Sequence, residues 1–232
     1  MTETSDVPDQ QSSTRLAAAL ALRDGERPFP WQEALLARFM RGNIDRALDI
    51  PTGLGKTAVM AIWLVAYAAT RRVPRRLVYI VDRRAVVDQA TTVAERLRDV
   101  VANDLGFRHA LGLGDRGLTI STLRGQHVDN RQWLETPSLP AIIVGTVDKI
   151  GSALLFRGYG VSNKMRVYHA GLLGADSFIV LDEAHLVPPF AALLATIADG
   201  SDTFGPRDES LRHIVRSMAF MALSATARNV DD

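Results

Sequence analysis

The sequence predicts an α/β domain with a mainly parallel sheet covered by helices on both faces. Its 232 residues are 47% hydrophobic, enough for one well-buried domain. Short runs rich in valine and isoleucine recur along the chain, and helical periods separate most of them. Strands of that composition alternating with helices are buried on both faces, as in parallel sheets.

Residues 1–13, "MTETSDVPDQQSS", are polar and lack aromatic side chains, so they read as a tail that cannot offset its ordering entropy. A helix follows over about Thr14–Arg23, then a turn at "DGERPFP", then a helix over "WQEALLARFM" that stops at Gly42. Strands are expected at "ALDI" (47–50), "LVYIV" (77–81), "LTIST" (118–122), "AIIVG" (141–145), "FIVL" (178–181) and "MAFMAL" (218–223). Helical periods fill "AVMAIWLVAYAA" and "AVVDQATTVAERLRDVV". The arginine-rich "TRRVPRRL" (70–77) reads as a solvated connection, and Trp31, Trp63 and Trp133 read as packing residues. In such a sheet, ligands gather beyond the carboxyl ends of the strands, so the chemistry is expected just after each apolar run.

Several classes are excluded early. A formal net charge of +1 argues against holding nucleic acid by bulk positive charge. The absence of cysteine removes disulfides and thiolate metal sites and fits a reducing cytoplasm. "LAAALAL" (16–22) follows Glu3, Asp6 and Asp9 instead of a basic segment, so it is not an export signal. No apolar stretch approaches the ~20 residues of a membrane span.

"DIPTGLGKTAV" (49–59) reads as a strand end, a glycine turn and a helix start. Thr52, Gly53, Leu54, Gly55, Lys56, Thr57 and Ala58 supply a phosphate-binding loop: glycines that let N–H groups turn inward, a lysine for the outer phosphates and a hydroxyl for Mg²⁺. Lys56 is one of only three lysines in an arginine-dominated chain, and is expected in a solvent-facing loop. Ile50 stands where the pattern usually has its first glycine or alanine. "GLGDRG" (112–117) formally matches a dinucleotide fingerprint, but it precedes a strand and reads as a surface loop. "SFIVLDEAHL" (177–186) carries a buried strand to the sheet edge and delivers Asp182, Glu183 and His185. Asp182 suits Mg²⁺, and Glu183 suits the orientation of an attacking water.

"PTGLGKT", "LDEAH" and "LSAT" (223–226), in that order, resemble motifs I, II and III of superfamily 2 DEAH-type helicases. The resemblance implies a RecA-like P-loop NTPase domain over residues 14–232 that uses ATP and Mg²⁺, with Thr57 and Asp182 at the metal. It also implies that Gln32 in "RPFPWQ" reads adenine. "VDRRAVVDQ" (81–89) and "GTVDKI" (145–150) stand where the family lines its nucleic-acid track, which nominates Arg83, Arg84, Thr146 and Asp148 for DNA contact. Ser224 and Thr226 would couple the nucleotide site to that track. "STLRGQHVDNRQW" (121–133), "GTVDKIGSALLFRGYG" (145–160) and "HAGLLGADSFIVLDEAHL" (169–186) narrow the likeness to the helicase-nuclease of type I CRISPR systems, most like subtype I-G, and add Arg124 to the track.

That family also carries a histidine-aspartate nuclease. The five histidines here are followed by Ala, Val, Ala, Leu and Ile, so no His-Asp pair exists and no cutting is expected. His109, His127, His169 and His213 have no metal-ligand spacing. The second RecA-like half is expected outside this chain, which reads either as the first motor domain of a longer protein or as a subunit that depends on another chain. Single-stranded DNA and an RNA-guided surveillance complex are the implied partners. The rival readings are another superfamily 2 translocase, from restriction or repair, and a nucleotide-gated binding module that unwinds nothing.

Overall fold

A computed structural model of the chain describes residues 9–51, 53–124, 128–129, 132–158, 160–205, 208–212 and 214–225. The first helix, α1 (Gln10–Leu20), begins before the expected Thr14. The cause is local: the Asp9 carboxylate accepts from the Ser12 N–H at 2.7 Å, and this cap draws residues 10–13 out of the expected tail into the first turn. α2 (Pro30–Met40) has proline at its first position and closes at Gly42, whose φ of 84° only glycine adopts without strain.

The alternation then follows as predicted: β1 (Ala47–Asp49), α3 (Val59–Thr70), β2 (Arg76–Val81), α4 (Arg84–Asn103) and α5 (Leu105–Leu111). Beyond them come β3 (Thr119–Arg124), β4 (Val128–Asp129), α6 (Gln132–Glu135), β5 (Ala141–Thr146), α7 (Val147–Leu154) and α8 (Asn163–Gly174). β6 (Ser177–Leu181), α9 (Pro188–Asp199), α10 (Ser201–Phe204), α11 (Glu209–Arg212) and β7 (Ala219–Ser224) complete the order.

The seven strands form one sheet in the order β1-β7-β6-β2-β5-β3-β4. Every neighbouring pair is parallel except the short antiparallel pair of β3 with β4, an edge hairpin the sequence did not announce. Alternate residues of each strand enter opposite cores, as the period of two requires. Leu77, Tyr79 and Val81 of β2 meet α1 to α5, whereas Val78 and Ile80 meet the layer of α7, α8 and α9. Both faces are therefore covered. α3 is buried from Val59 to Ala68, because α1, α2 and α5 cover the side the sheet does not. Trp63 and Trp133 are core residues, and Trp31 packs half-buried against the core.

The arginine-rich connection is not simply solvated. Arg76 is 5% exposed, and its guanidinium donates to Leu172 O at 3.0 Å, to Pro137 O at 2.9 Å and to Ala175 O. Arg75 pairs with Asp176 at 3.1 Å. These carbonyls end or flank segments that enter the sheet from its amino edge, and one planar fork satisfies three acceptors that burial would otherwise strand. This strap fixes the edge opposite the chemistry. "GLGDRG" is a turn after α5, exposed from Gly114 to Gly117, as expected.

Candidate nucleotide site

The glycine loop leaves β1 at the carboxyl edge and enters a 3-10 turn, Lys56–Ala58, that continues into α3. Gly53 and Gly55 have φ of 86° and 73°, which explains why glycine stands at both positions. A Cβ on Gly55 would lie 3.9 Å from Gln32 Nε2, so the Gln32 amide borders the loop. Leu54 N–H donates to Pro51 O at 3.3 Å, and Ala58 N–H to Gly55 O at 2.9 Å. Ile50 is buried, which makes it a core residue at the point of departure from the usual pattern. Thr52 lies outside the described residues.

β6 carries the acids to the same edge. Val180 pairs in register with Tyr79 of β2, and Asp182, two residues on, shares the face of Val180. Asp182 N–H donates to Ile80 O at 2.8 Å, extending the ladder past the strand. Its two carboxylate oxygens have separate donors: the Glu183 N–H reaches Oδ1 at 3.0 Å, and the Tyr79 hydroxyl reaches Oδ2 at 2.9 Å. Burial raises the Asp182 carboxyl above its usual range; Tyr79 and Lys56 pull it down, and Glu183 pushes it up. Burial first, then the Asp182 charge, keeps the Tyr79 phenol protonated well above its ordinary range.

Glu183 adopts φ 50°, a left-handed turn that re-aims the chain just after the strand. Its Oε1 meets Lys56 Nζ at 2.5 Å, and its Oε2 stands 3.4 Å from His185 Nδ1. Lys56 was expected to face solvent, yet its side chain is only 9% exposed, because Glu183 folds over it. Residues 127 positions apart thus form one cluster.

Beside the loop lies a cleft of about 490 Å³ lined by Arg27, Phe29, Gln32, Gly55, Thr57 and Ala61, among others. Its volume suits a nucleoside. Gln32 is 5% exposed, and its Oε1 accepts from the Phe29 N–H at 2.9 Å, which fixes the amide and turns its NH₂ end toward the loop. Sequence reasoning missed Phe29, whose half-exposed ring stands at this cleft, and Tyr79, hidden inside an apolar run. "RPFPWQ" contained the first signal; the second had none.

The residues present fit a magnesium nucleotide. Thr57 and Asp182 offer hard oxygen donors, Lys56 a cation, and the glycine turn an uncluttered backbone. Among the described residues no three His, Cys, Asp or Glu side chains gather into a metal site, so phosphate oxygens and water would complete the magnesium shell, as that ion prefers.

The other nominated residues are scattered. Arg83 is exposed at the start of α4, and Asp148 is exposed in the first turn of α7. Thr146 is buried, and its hydroxyl accepts from the Lys149 N–H at 3.4 Å as the cap of α7. The side chains of Arg84 and Arg124, and all of Thr226, lie outside the described residues. Ser224 ends β7 and lines, with His185, Asp49 and Arg46, a second groove of about 470 Å³. Among the described residues no helix is long and apolar enough to cross a membrane.

A glycine loop opening a helix, facing an acidic pair two strands away in one mainly parallel sheet, defines the nucleotide-hydrolysing α/β class. Residues 29–232 match the family model of the DEAD/DEAH box helicases, and the chain belongs to that family. It is a superfamily 2 helicase-type ATPase domain with the RecA-like fold, and domains of this family bind ATP. Among solved structures, it resembles the DEAD-box helicase Mss116 bound to ssRNA and UDP-BeF, with TM-score 0.62 and 16% identity over 96% of this chain and 40% of that one. It also resembles the DUF1998 helicase MrfA bound to DNA and AMPPNP, with TM-score 0.61 and 17% identity over 99% of this chain and 27% of that one. T. fusca Cas3 with ATP gives TM-score 0.53 and 19% identity over 94% of this chain and 23% of that one. The chain therefore spans well under half the length of these proteins. No curated protein matches it.

Proposed function

We propose that this chain is the ATP-binding first half of a motor that pulls single-stranded DNA in type I CRISPR interference. A second RecA-like half and an RNA-guided surveillance complex are its partners. Lys56 takes the outer phosphates, Thr57 and Asp182 hold Mg²⁺, Glu183 orients the attacking water and Gln32 reads the adenine edge. Ser224 links nucleotide state to the DNA track, which includes Arg83. The ATPase part rests on one observation: Lys56, Asp182 and Glu183 meet at one sheet edge beside the Gln32 cleft. The DNA and CRISPR part is supported by the three segments quoted above, with the T. fusca Cas3 fold as one likeness among several.

The test joins this chain to a second RecA-like half and measures ATP hydrolysis with single-stranded DNA, duplex DNA and single-stranded RNA. Stimulation by single-stranded DNA above the other two is expected. Equal stimulation by RNA would indicate a different superfamily 2 motor, and hydrolysis indifferent to all three would favour the nucleotide-gated module.

A further inference from the structure

We propose that Tyr79 is a positioning residue for magnesium: its buried hydroxyl fixes the Asp182 carboxylate in the orientation that the metal meets. This inference rests on the reading of Asp182 as the magnesium ligand.

Tyr79 has no solvent exposure and sits in the middle of β2 among Leu77, Val78, Ile80 and Val81, all apolar and buried. Packing alone would be served by phenylalanine. A phenol in such a place must find an acceptor or lose its hydration uncompensated. The acceptor here is Asp182 Oδ2 at 2.9 Å, on the neighbouring strand's extension, 103 residues away in sequence. Register explains the reach. Tyr79 stands opposite Val180, and Asp182 is two residues further along the same face, about 6.6 Å on at the rise of a strand. A tyrosine hydroxyl spans that distance, whereas a ring without one falls short of it.

The Glu183 N–H holds the other oxygen at 3.0 Å. Two donors on two oxygens fix both the rotation of the carboxylate and its plane, leaving the remaining lone pairs at defined positions for the metal or its water. Partners of a metal ligand that orient it in this way contribute about 10- to 100-fold to affinity or activity.

The experiment measures binding of a fluorescent ATP analogue to the full chain across a Mg²⁺ titration and in EDTA, for wild type, Tyr79→Phe, Asp182→Asn and Trp63→Phe. Trp63→Phe removes a buried hydrogen bond of 2.8 Å to Pro74 O, at the other end of β2, and controls for general loosening of the core. Tyr79→Phe is expected to raise the Mg²⁺ midpoint about 10-fold, with affinity in EDTA unchanged within about twofold, while Trp63→Phe leaves both alone. The Mn²⁺ spin-resonance signal of the bound nucleotide complex should broaden in Tyr79→Phe, a readout that needs no turnover. If Asp182→Asn moves the midpoint and Tyr79→Phe does not, Tyr79 is a packing residue and the proposal fails alone. If neither moves it, Asp182 is not the ligand, and the reading beneath the proposal fails as well.

Discussion

Glu183→Gln should tighten ATP binding. Lys56 is held by Glu183 at 2.5 Å, with side-chain exposures of 9% and 33%. Exposed ion pairs contribute about 0–1 kcal/mol, and breaking a buried one costs about 3–5 kcal/mol; a half-covered pair falls between, at about 1–2 kcal/mol. Phosphates that draw Lys56 to themselves must first overcome that contact, so its strength subtracts from binding. A glutamine amide keeps a hydrogen bond but not the charge. The gain of about 1–2 kcal/mol is about 5- to 30-fold in Kd. Titration of a fluorescent ATP analogue in Mg²⁺ reads it directly. The same substitution in a Lys56→Ala background should give a smaller gain, because only the general repulsion between Glu183 and the phosphates is then relieved. Raising the salt should shrink the difference, since the pair is partly exposed. Equal or weaker binding by Glu183→Gln would refute the idea that Glu183 holds Lys56 away from its ligand.

The melting temperature of the chain should fall as pH rises through the folded titration of Asp182, because the folded carboxyl titrates above its unfolded value: its stabilising contribution is complete below the unfolded range and is lost as pH rises through the folded one. That component of the pH dependence should disappear in Asp182→Asn, each kcal/mol corresponding to about 2–4 °C in a chain of this size, and an unchanged pH profile in the variant would contradict it. Gln32→Ala should reduce the preference for ATP over GTP about 10-fold, the loss of about 1.4 kcal/mol, and should cost about 1 kcal/mol of stability by uncapping the Phe29 N–H. Equal affinity losses for both nucleotides would make Gln32 merely structural. Steady-state hydrolysis by residues 1–232 alone should stay near background at saturating ATP, because a transition-state arginine from a second half contributes ~10³-fold or more in this chemistry. Robust turnover stimulated by DNA would show that the chain, or a second copy, completes its own site. Its grip on single-stranded DNA should be weak, salt-sensitive and weaker still in Arg83→Ala, measured by fluorescence anisotropy; tight binding in high salt would indicate a different nucleic-acid site.

The sheet, both covering layers, the glycine loop and the acidic pair could all be read along the chain, because each rests on local rules. Continuous apolar runs, buried at every position, mark β2, β5 and β6, and glycine marks the left-handed turns at Gly53 and Gly55. The Asp9 cap was equally local and was overlooked, which misplaced the start of α1.

What the tertiary structure alone decided is which distant residues meet. Strand order is not periodic in sequence: β6 lies between β7 and β2, and that placement brings Asp182 under the hydroxyl of Tyr79 and Glu183 against Lys56. The same non-local pairing turned Arg76 from a solvated cation into a strap for three carbonyls, and buried α3 on the side its own pattern could not assign. Local propensity names the residues capable of chemistry; register between strands a hundred residues apart sets the distances at which a hydroxyl, a carboxylate and an ammonium act on one another.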